Sequence, residues 1–253
     1  DTFFFADADE LVGFAQSQGK SVHGHVLIWH RQLPGWMTAF TGDAAAWEDM
    51  MTGHISGVVQ HFAADDVVTS WDVVNEAFAD GDSDGDGLYD FRHTIWYDNI
   101  GAGYLAAAFR AARAADGNAE LYYNDYNLAG VPAKLSAVLQ LVDDFASDLD
   151  PVPIDGIGFQ MHISLEWPAI GQVRESLARA AAIGASRPPG GQSFAASAAS
   201  YSSRSGPTSR NRPRAAAMDT VRRMLGLYGA PGGRAGSMTR MLFTTAWAEM
   251  SNS

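Results

Sequence analysis

Two hydrophobic patterns alternate along residues 1–184. In one, apolar side chains recur at helical spacing. Residues 43–62 carry Trp47, Met51, Ile55, Val58, Val59 and Phe62 on a single stripe. Residues 95–115 repeat it with Ile100, Tyr104, Leu105, Ala108, Phe109 and Ala112, and residues 135–145 and 170–182 follow, the last with Val173 and Leu177 inward. Pro132 suits a first helical turn, and residues 7–18 read as an earlier helix closed by Gly19. The other pattern is a short unbroken apolar run, at 22–28, 67–74, 121–124 and 154–160. Runs that are apolar on both faces predict strands of a fully covered sheet. Alternating strand and helix predicts βα units and a parallel α/β sheet, for which a doubly wound sheet and a (β/α)8 barrel both qualify. No Gly-rich phosphate loop follows any strand, which weighs against nucleotide binding.

Beyond residue 184 the pattern stops. Residues 186–214 show neither period and read as low-complexity, disordered chain. Residues 218–227 allow a short helix with Val221, Met224 and Leu225 on one face, ended by the Gly and Pro residues that follow. Composition breaks at the same place: Ala, Ser, Arg, Gly and Pro supply 45 of the last 69 residues. So does charge. The net -12 of the 253 residues combines an acidic part, with 8 Lys and Arg against 27 Asp and Glu, and a basic part, with 9 Arg against Asp219 and Glu249. The acidic part would repel phosphate, so no nucleic acid is expected as a partner. No apolar run reaches the ~18 residues of a membrane span, and the absence of Cys excludes disulfides and thiol chemistry.

Polar side chains gather at the C-terminal ends of the four strands. The first ends in His-Gly-His-Val-Leu-Ile-Trp-His (23–30), the second in Trp-Asp-Val-Val-Asn-Glu (71–76), the third in Asn-Asp-Tyr-Asn (124–127) and the fourth in Gln-Met-His (160–162). Convergence at one end of a parallel sheet is the layout of a barrel active site.

The stretches HGHVLIWHRQLPGWM, SWDVVNEAF, LYYNDYNLAG and DGIGFQMHISLEWP, with FFFADADELVGFAQSQGK before them, resemble glycoside hydrolase family ten, the retaining endo-1,4-β-xylanases. The resemblance runs in order over 184 of 253 residues. It implies a (β/α)8 TIM barrel of which about four of eight strands, the third to the sixth, are recognisable. It also implies xylan or xylo-oligosaccharides as partners, no cofactor, and secretion, although no signal peptide or initiator Met precedes Asp1.

Glycoside hydrolysis needs a carboxylic acid that protonates the leaving oxygen and then activates water. Glu76 matches the family's acid/base and Asn75 its contact to the sugar 2-hydroxyl. Alone, an Asn-Glu pair reads as a surface Glu opening a helix. His162 matches the histidine that orients the nucleophile, and Gln160 lies two residues earlier on the same strand face. His25 and Trp29 match contacts to the sugar at the cleavage point, and Gln32 and Tyr126 are candidates for further sugar subsites. His23, on the same face as His25, and His30 read as packing residues or as supports behind the residues that touch sugar, and Trp36, Trp47, Trp71 and Trp96 as core.

Two metal readings are weaker. Asp80, Asp82, Asp84, Gly85 and Asp86 resemble a calcium loop, but Phe91 stands at the twelfth position, so a solvated loop is expected. His23, His25 and His162 offer ligands for a metal-dependent hydrolase, which leaves Asn75 and Glu76 unexplained. No metal is assigned.

A retaining enzyme needs a second carboxylate about 5–5.5 Å from the first. The family places it in a strand reading roughly Thr-Glu-Leu-Asp soon after residue 184. Here the chain reads Ala-Ser-Arg-Pro-Pro-Gly-Gly-Gln-Ser, and Glu166, Glu175, Asp219 and Glu249 stand in other contexts. The nucleophile is therefore not found. The expectation is a barrel fragment, 1–184, followed by a basic tail, 185–253, that reads as an off-frame translation. Two uncovered sheet edges are expected.

Overall fold

The computed structural model describes residues 3–64, 66–185, 195–198 and 241–244. Its centre is a six-stranded sheet in which every pairing is parallel. In chain order the elements are α1 (Ala6–Ser17), β1 (Val22–Ile28), α2 (Ala44–Ala63), β2 (Val68–Asn75), α3 (Ile95–Ile100), α4 (Tyr104–Ala115), β3 (Glu120–Asp125), α5 (Pro132–Ser147), β4 (Gly156–Phe159), α6 (Ile170–Ala185), β5 (Ala195–Ala198) and β6 (Met241–Thr244). The strand order is β5-β4-β3-β2-β1-β6. From β1 to β4 each strand lies beside its predecessor with no reversal. A doubly wound sheet reverses direction at a switch point, so this winding is that of a barrel wall.

The helical stripes face the core as their spacing requires. In α2, Met51, Ile55 and Val59 are wholly buried, and Asp43 caps the helix by accepting from the Ala46 amide at 3.0 Å. In α4, Ala108, Phe109 and Ala112 are wholly buried. The single helix expected over 95–115 is instead two. Gly101, at φ 87, ends α3, and α4 starts at Tyr104. The apolar stripe continues through that break, so periodicity alone does not reveal it.

The expected helix at 218–227 lies outside the described residues, as does 186–214 apart from β5. The two uncovered edges are not found where they were expected. β5 pairs with β4, and β6 pairs with β1. Both are four-residue strands in the part of the chain where the pattern gave none. A parallel ladder is made of backbone groups, which every residue has. The open edge of a part-barrel offers unpaired N–H and C=O to any chain within reach. Among the described residues no helix is long and apolar enough to cross a membrane.

Candidate active site

Because the strands are parallel, their C-terminal ends share one edge, and the side chains singled out from the sequence meet there. Register decides which of them face inward. On β2, Asp72 pairs with Tyr122 and Asn75 with Asn124. Tyr122 and Asn124 are two apart on β3 and so share a face. Asp72 and Asn75 therefore share one too, although they are three apart. The irregularity between Asp72 and Val74 makes this possible, as bulges near sites commonly do.

Glu76 follows directly, at φ 59, in the left-handed region. For a residue with a side chain this costs roughly 1–3 kcal/mol. Its amide donates to the Asn124 carbonyl at 2.9 Å. The carboxylate is gripped on both oxygens: the Trp29 indole N–H donates to Oε2 and the Gln160 amide to Oε1, each at 3.0 Å. Gln160 Nε2 also donates to Asn75 Oδ1 at 3.0 Å, and Asn124 Nδ2 donates to the same oxygen at 2.9 Å. Gln160 Oε1 accepts from His162 Nε2 at 3.1 Å, which requires that nitrogen to carry a proton. The Gln160 amide thus has one orientation, its NH2 toward Glu76 and Asn75 and its oxygen toward His162. Glu76 itself is part-exposed while Asn75 and Gln160 are buried. A fixed carboxyl with access to solvent suits proton transfer.

Sequence reasoning missed Asp72. Its Oδ2 accepts from His25 Nδ1 at 2.8 Å, and its Oδ1 lies 3.1 Å from His23 Nε2. His23 Nδ1 lies 2.8 Å from the Ser70 hydroxyl. Burial opposes charge on Asp72, but His23, followed by His25, outweighs it and holds the carboxyl below the usual range. His23 is thus a supporting residue, and the Asp72 contact sets the tautomer of His25. The missed signal was Trp-Asp-Val-Val-Asn-Glu itself. A straight strand would have put Asp72 on the opposite face from Asn75.

Tyr126 does not touch the Glu76 carboxylate. Its hydroxyl donates to Asp80 and accepts from Arg92 Nη2 at 2.8 Å, while Lys134 Nζ lies 3.6 Å from its ring centre. Lys134 is wholly buried and meets Asp125 at 2.9 Å and Asp80 at 3.2 Å. Burial pushes the Asp125 carboxyl up to about 6, against the pull of Lys134. Neither Arg92 nor Lys134 was singled out from the sequence, where each is a lone basic residue in no motif. Gln32 is exposed at φ 56, and among the described residues no hydrogen bond joins it to this group.

Trp47, Trp71 and Trp96 are core, as expected, and Trp36 packs, partly buried, against the hydrophobic core. Trp96 also donates to the Trp29 carbonyl at 2.8 Å, fixing the backbone beside the site. His30 is part-buried, and burial, then Arg92, lowers its pKa. Asp80 leaves the aspartate run to join Tyr126. Asp82, Asp84 and Asp86 stay exposed with their oxygens within 4.8 Å of one another, and they accept from backbone amides of their own loop. Among the described residues that is the one group with metal-ligand spacing, so His23, His25 and His162 do not assemble as a triad. Glu166 and Glu175 are exposed. Asp219 and Glu249 lie outside the described residues.

Known proteins resemble this chain in sequence and fold. The model of glycosyl hydrolase family 10 matches residues 1–187. Endo-1,4-beta-xylanase A of Cellvibrio japonicus is 41% identical over 187 residues, 72% of this chain and 30% of that protein. An endo-1,4-beta-xylanase of Agaricus bisporus is 37% identical, over 70% of this chain and 48% of its own length. The chain thus spans less than half of either relative. Among solved structures, xylanase 10B of Thermotoga petrophila RKU-1, in complex with xylobiose, superposes with a TM-score of 0.66 at 38% identity, over 73% of this chain and 53% of that one.

Proposed function

Since this chain belongs to glycosyl hydrolase family 10, we propose that residues 1–184 are part of a retaining endo-1,4-β-xylanase with Glu76 as acid/base. The observation that supports this best is the Glu76 carboxyl held between Trp29 and Gln160 where four parallel strands end. In the first half-reaction Glu76 gives its proton to the glycosidic oxygen. In the second it takes a proton from the water that releases the sugar. Asn75, His25, Trp29 and Gln160 hold the sugar at the cleavage point, and His162 stands where the family's histidine hydrogen-bonds and orients the nucleophile. Gln32 and Tyr126 line subsites further along. The substrate is xylan or xylo-oligosaccharide, which is extracellular, so the protein works outside the cell.

The nucleophile is the missing part. No carboxylate after residue 162 stands in the expected pattern, and without one the covalent route is closed. The chain as written is therefore expected to release little or no reducing sugar from xylan. Measurable release that Glu76→Gln abolishes would overturn that expectation. The basic stretch 185–253 fits an off-frame translation of the barrel's remainder. Translating the other two frames past codon 184 tests it: the absence of an apolar Thr-Glu-Leu strand in both would sink the idea.

A non-catalytic sugar-binding remnant is the second reading, favoured by the intact cluster of Trp29, His25, Asn75 and Gln160. Circular dichroism first establishes that the chain is folded. Calorimetry with xylo-oligosaccharides then separates the readings, since heat without turnover supports binding alone and no heat rejects it.

A further inference from the structure

One group of contacts is not needed to explain proton transfer, yet it converges on the residue that performs it. The peptide unit joining Glu76 to Ala77 is held at both ends. Arg92 Nε donates to the Glu76 carbonyl at 3.1 Å. The Ala77 amide donates to the Tyr123 hydroxyl at 3.0 Å. The Glu76 amide is also occupied, by the Asn124 carbonyl. A residue at φ 59 relaxes unless its surroundings over-determine it, and here the peptides on both sides are fixed.

The two holding groups are themselves anchored. Arg92 returns to Glu76 because the loop after β2 folds back on itself: the Arg92 amide donates to the Ala77 carbonyl at 2.7 Å, and Phe78 bridges Phe91. Its Nη2 donates to the Phe78 carbonyl at 2.9 Å and the Tyr126 hydroxyl at 2.8 Å. Tyr123 donates to Asp125 Oδ2 at 2.5 Å. Asp125 Oδ1 accepts from the Tyr126 amide at 2.8 Å and from buried Lys134 at 2.9 Å. Lys134 on α5 is thus tied to the Glu76 peptide through side chains at fixed distances.

We propose that Arg92 and Tyr123 are positioning residues that clamp the Glu76–Ala77 peptide, so that the Glu76 carboxylate stays between Trp29 and Gln160. The inference deepens the reading of Glu76 as acid/base and rests on it for its meaning. Its test needs no turnover and no sugar.

The readout is the Trp29 indole N–H in two-dimensional NMR of the full chain, identified by its loss in Trp29→Phe. Glu76→Gln defines where that signal goes when the carboxylate partner is gone. Arg92→Met and Tyr123→Phe are expected to move it toward that position, and Arg92→Lys, which keeps a donor, to return it part of the way. Tyr123→Phe should also speed exchange of the Ala77 amide about tenfold, the loss of one ordinary hydrogen bond. Variants that lower the melting temperature but leave the Trp29 signal at its wild-type place would show a merely structural role and overturn the proposal. So would a Trp29 signal that ignores Glu76→Gln. Should Arg92→Met not fold, Arg92→Lys and Tyr123→Phe carry the same test. A chain that binds no xylo-oligosaccharide fails the functional reading without moving the indole signal, so the two failures are distinct.

Discussion

Gln160 decides more of the site than its single amide suggests. It supplies the donor to Glu76 and to Asn75 and the acceptor for His162. Gln160→Leu takes all three away, at a buried position beside buried Asn75. Leaving such groups unsatisfied costs about 1–3 kcal/mol, so urea unfolding should show a loss of that size. Gln160→Glu keeps the shape but presents oxygen to two oxygens, and the loss should be larger. Gly158 makes a related demand. A Cβ there would lie 2.4 Å from Asn124 Oδ1, so Gly158→Ala should displace Asn124 from Asn75 and weaken any xylo-oligosaccharide binding measured by calorimetry. At this scale the sequence singled out Glu76, Asn75, Gln160, His25, Trp29 and His162, side chains that the fold brings to one edge of the sheet. It was silent on Asp72, Arg92 and Lys134. Their importance depends on which neighbour the fold brings within 3 Å, and spacing along the chain carries no such information.

The elements followed the hydrophobic pattern closely because burial of a stripe or a run is a local property of sequence. Phe109 is the plainest case. It is predicted inward on α4 and found wholly buried, edge-to-face with Phe145 of α5 at 5.7 Å. Phe109→Ala should cost about 3–5 kcal/mol in denaturant unfolding. Gly24 shows what the pattern hides. It stands mid-strand in β1, where a Cβ would meet the Trp71 ring at 2.1 Å. Gly24→Ala must push that ring away, and its midpoint of unfolding should fall even though alanine is the better strand residue. The bulges in β1 and β2 were also invisible beforehand. An irregularity of register belongs to a pair of strands and not to either sequence.

For the whole molecule, stability against pH is set by buried groups far apart in the chain. His54 on α2 is pushed down to about 3 by burial. Unfolded His titrates near 6.5, so between these values the unfolded state binds the extra proton, and stability is lost as pH falls below about 6.5. Asp125 has the opposite sign. Its folded value of about 6 lies above its unfolded one, so its contribution is present at low pH and is lost as pH rises toward 6. Each changes stability by about 1.4 kcal/mol per pH unit in its window. The two slopes oppose one another between about pH 4 and 6, so each damps the other's effect on the wild-type melting temperature there. His54→Leu should leave stability falling as pH rises through that range, and Asp125→Asn should leave it rising. Flat profiles in both variants would refute the assignment. Below about pH 4 Asp72, held low by His23 and His25 despite burial, adds a further acid loss.

The sequence by itself determined the alternation of strand and helix, the buried stripes, the family and the residue types gathered at the strand ends. Each of these is carried by neighbours in the chain or by a motif. The tertiary structure decided the rest: the division of the 95–115 segment at Gly101, the pairing of both outer edges by β5 and β6, and the shared face of Asp72 and Asn75. It also decided that Arg92 and Tyr123 hold the Glu76 peptide. The physical reason is common to all of them. Register, edge pairing and hydrogen bonds between distant residues are fixed only when strands meet, and no periodicity within one strand encodes what will lie across from it.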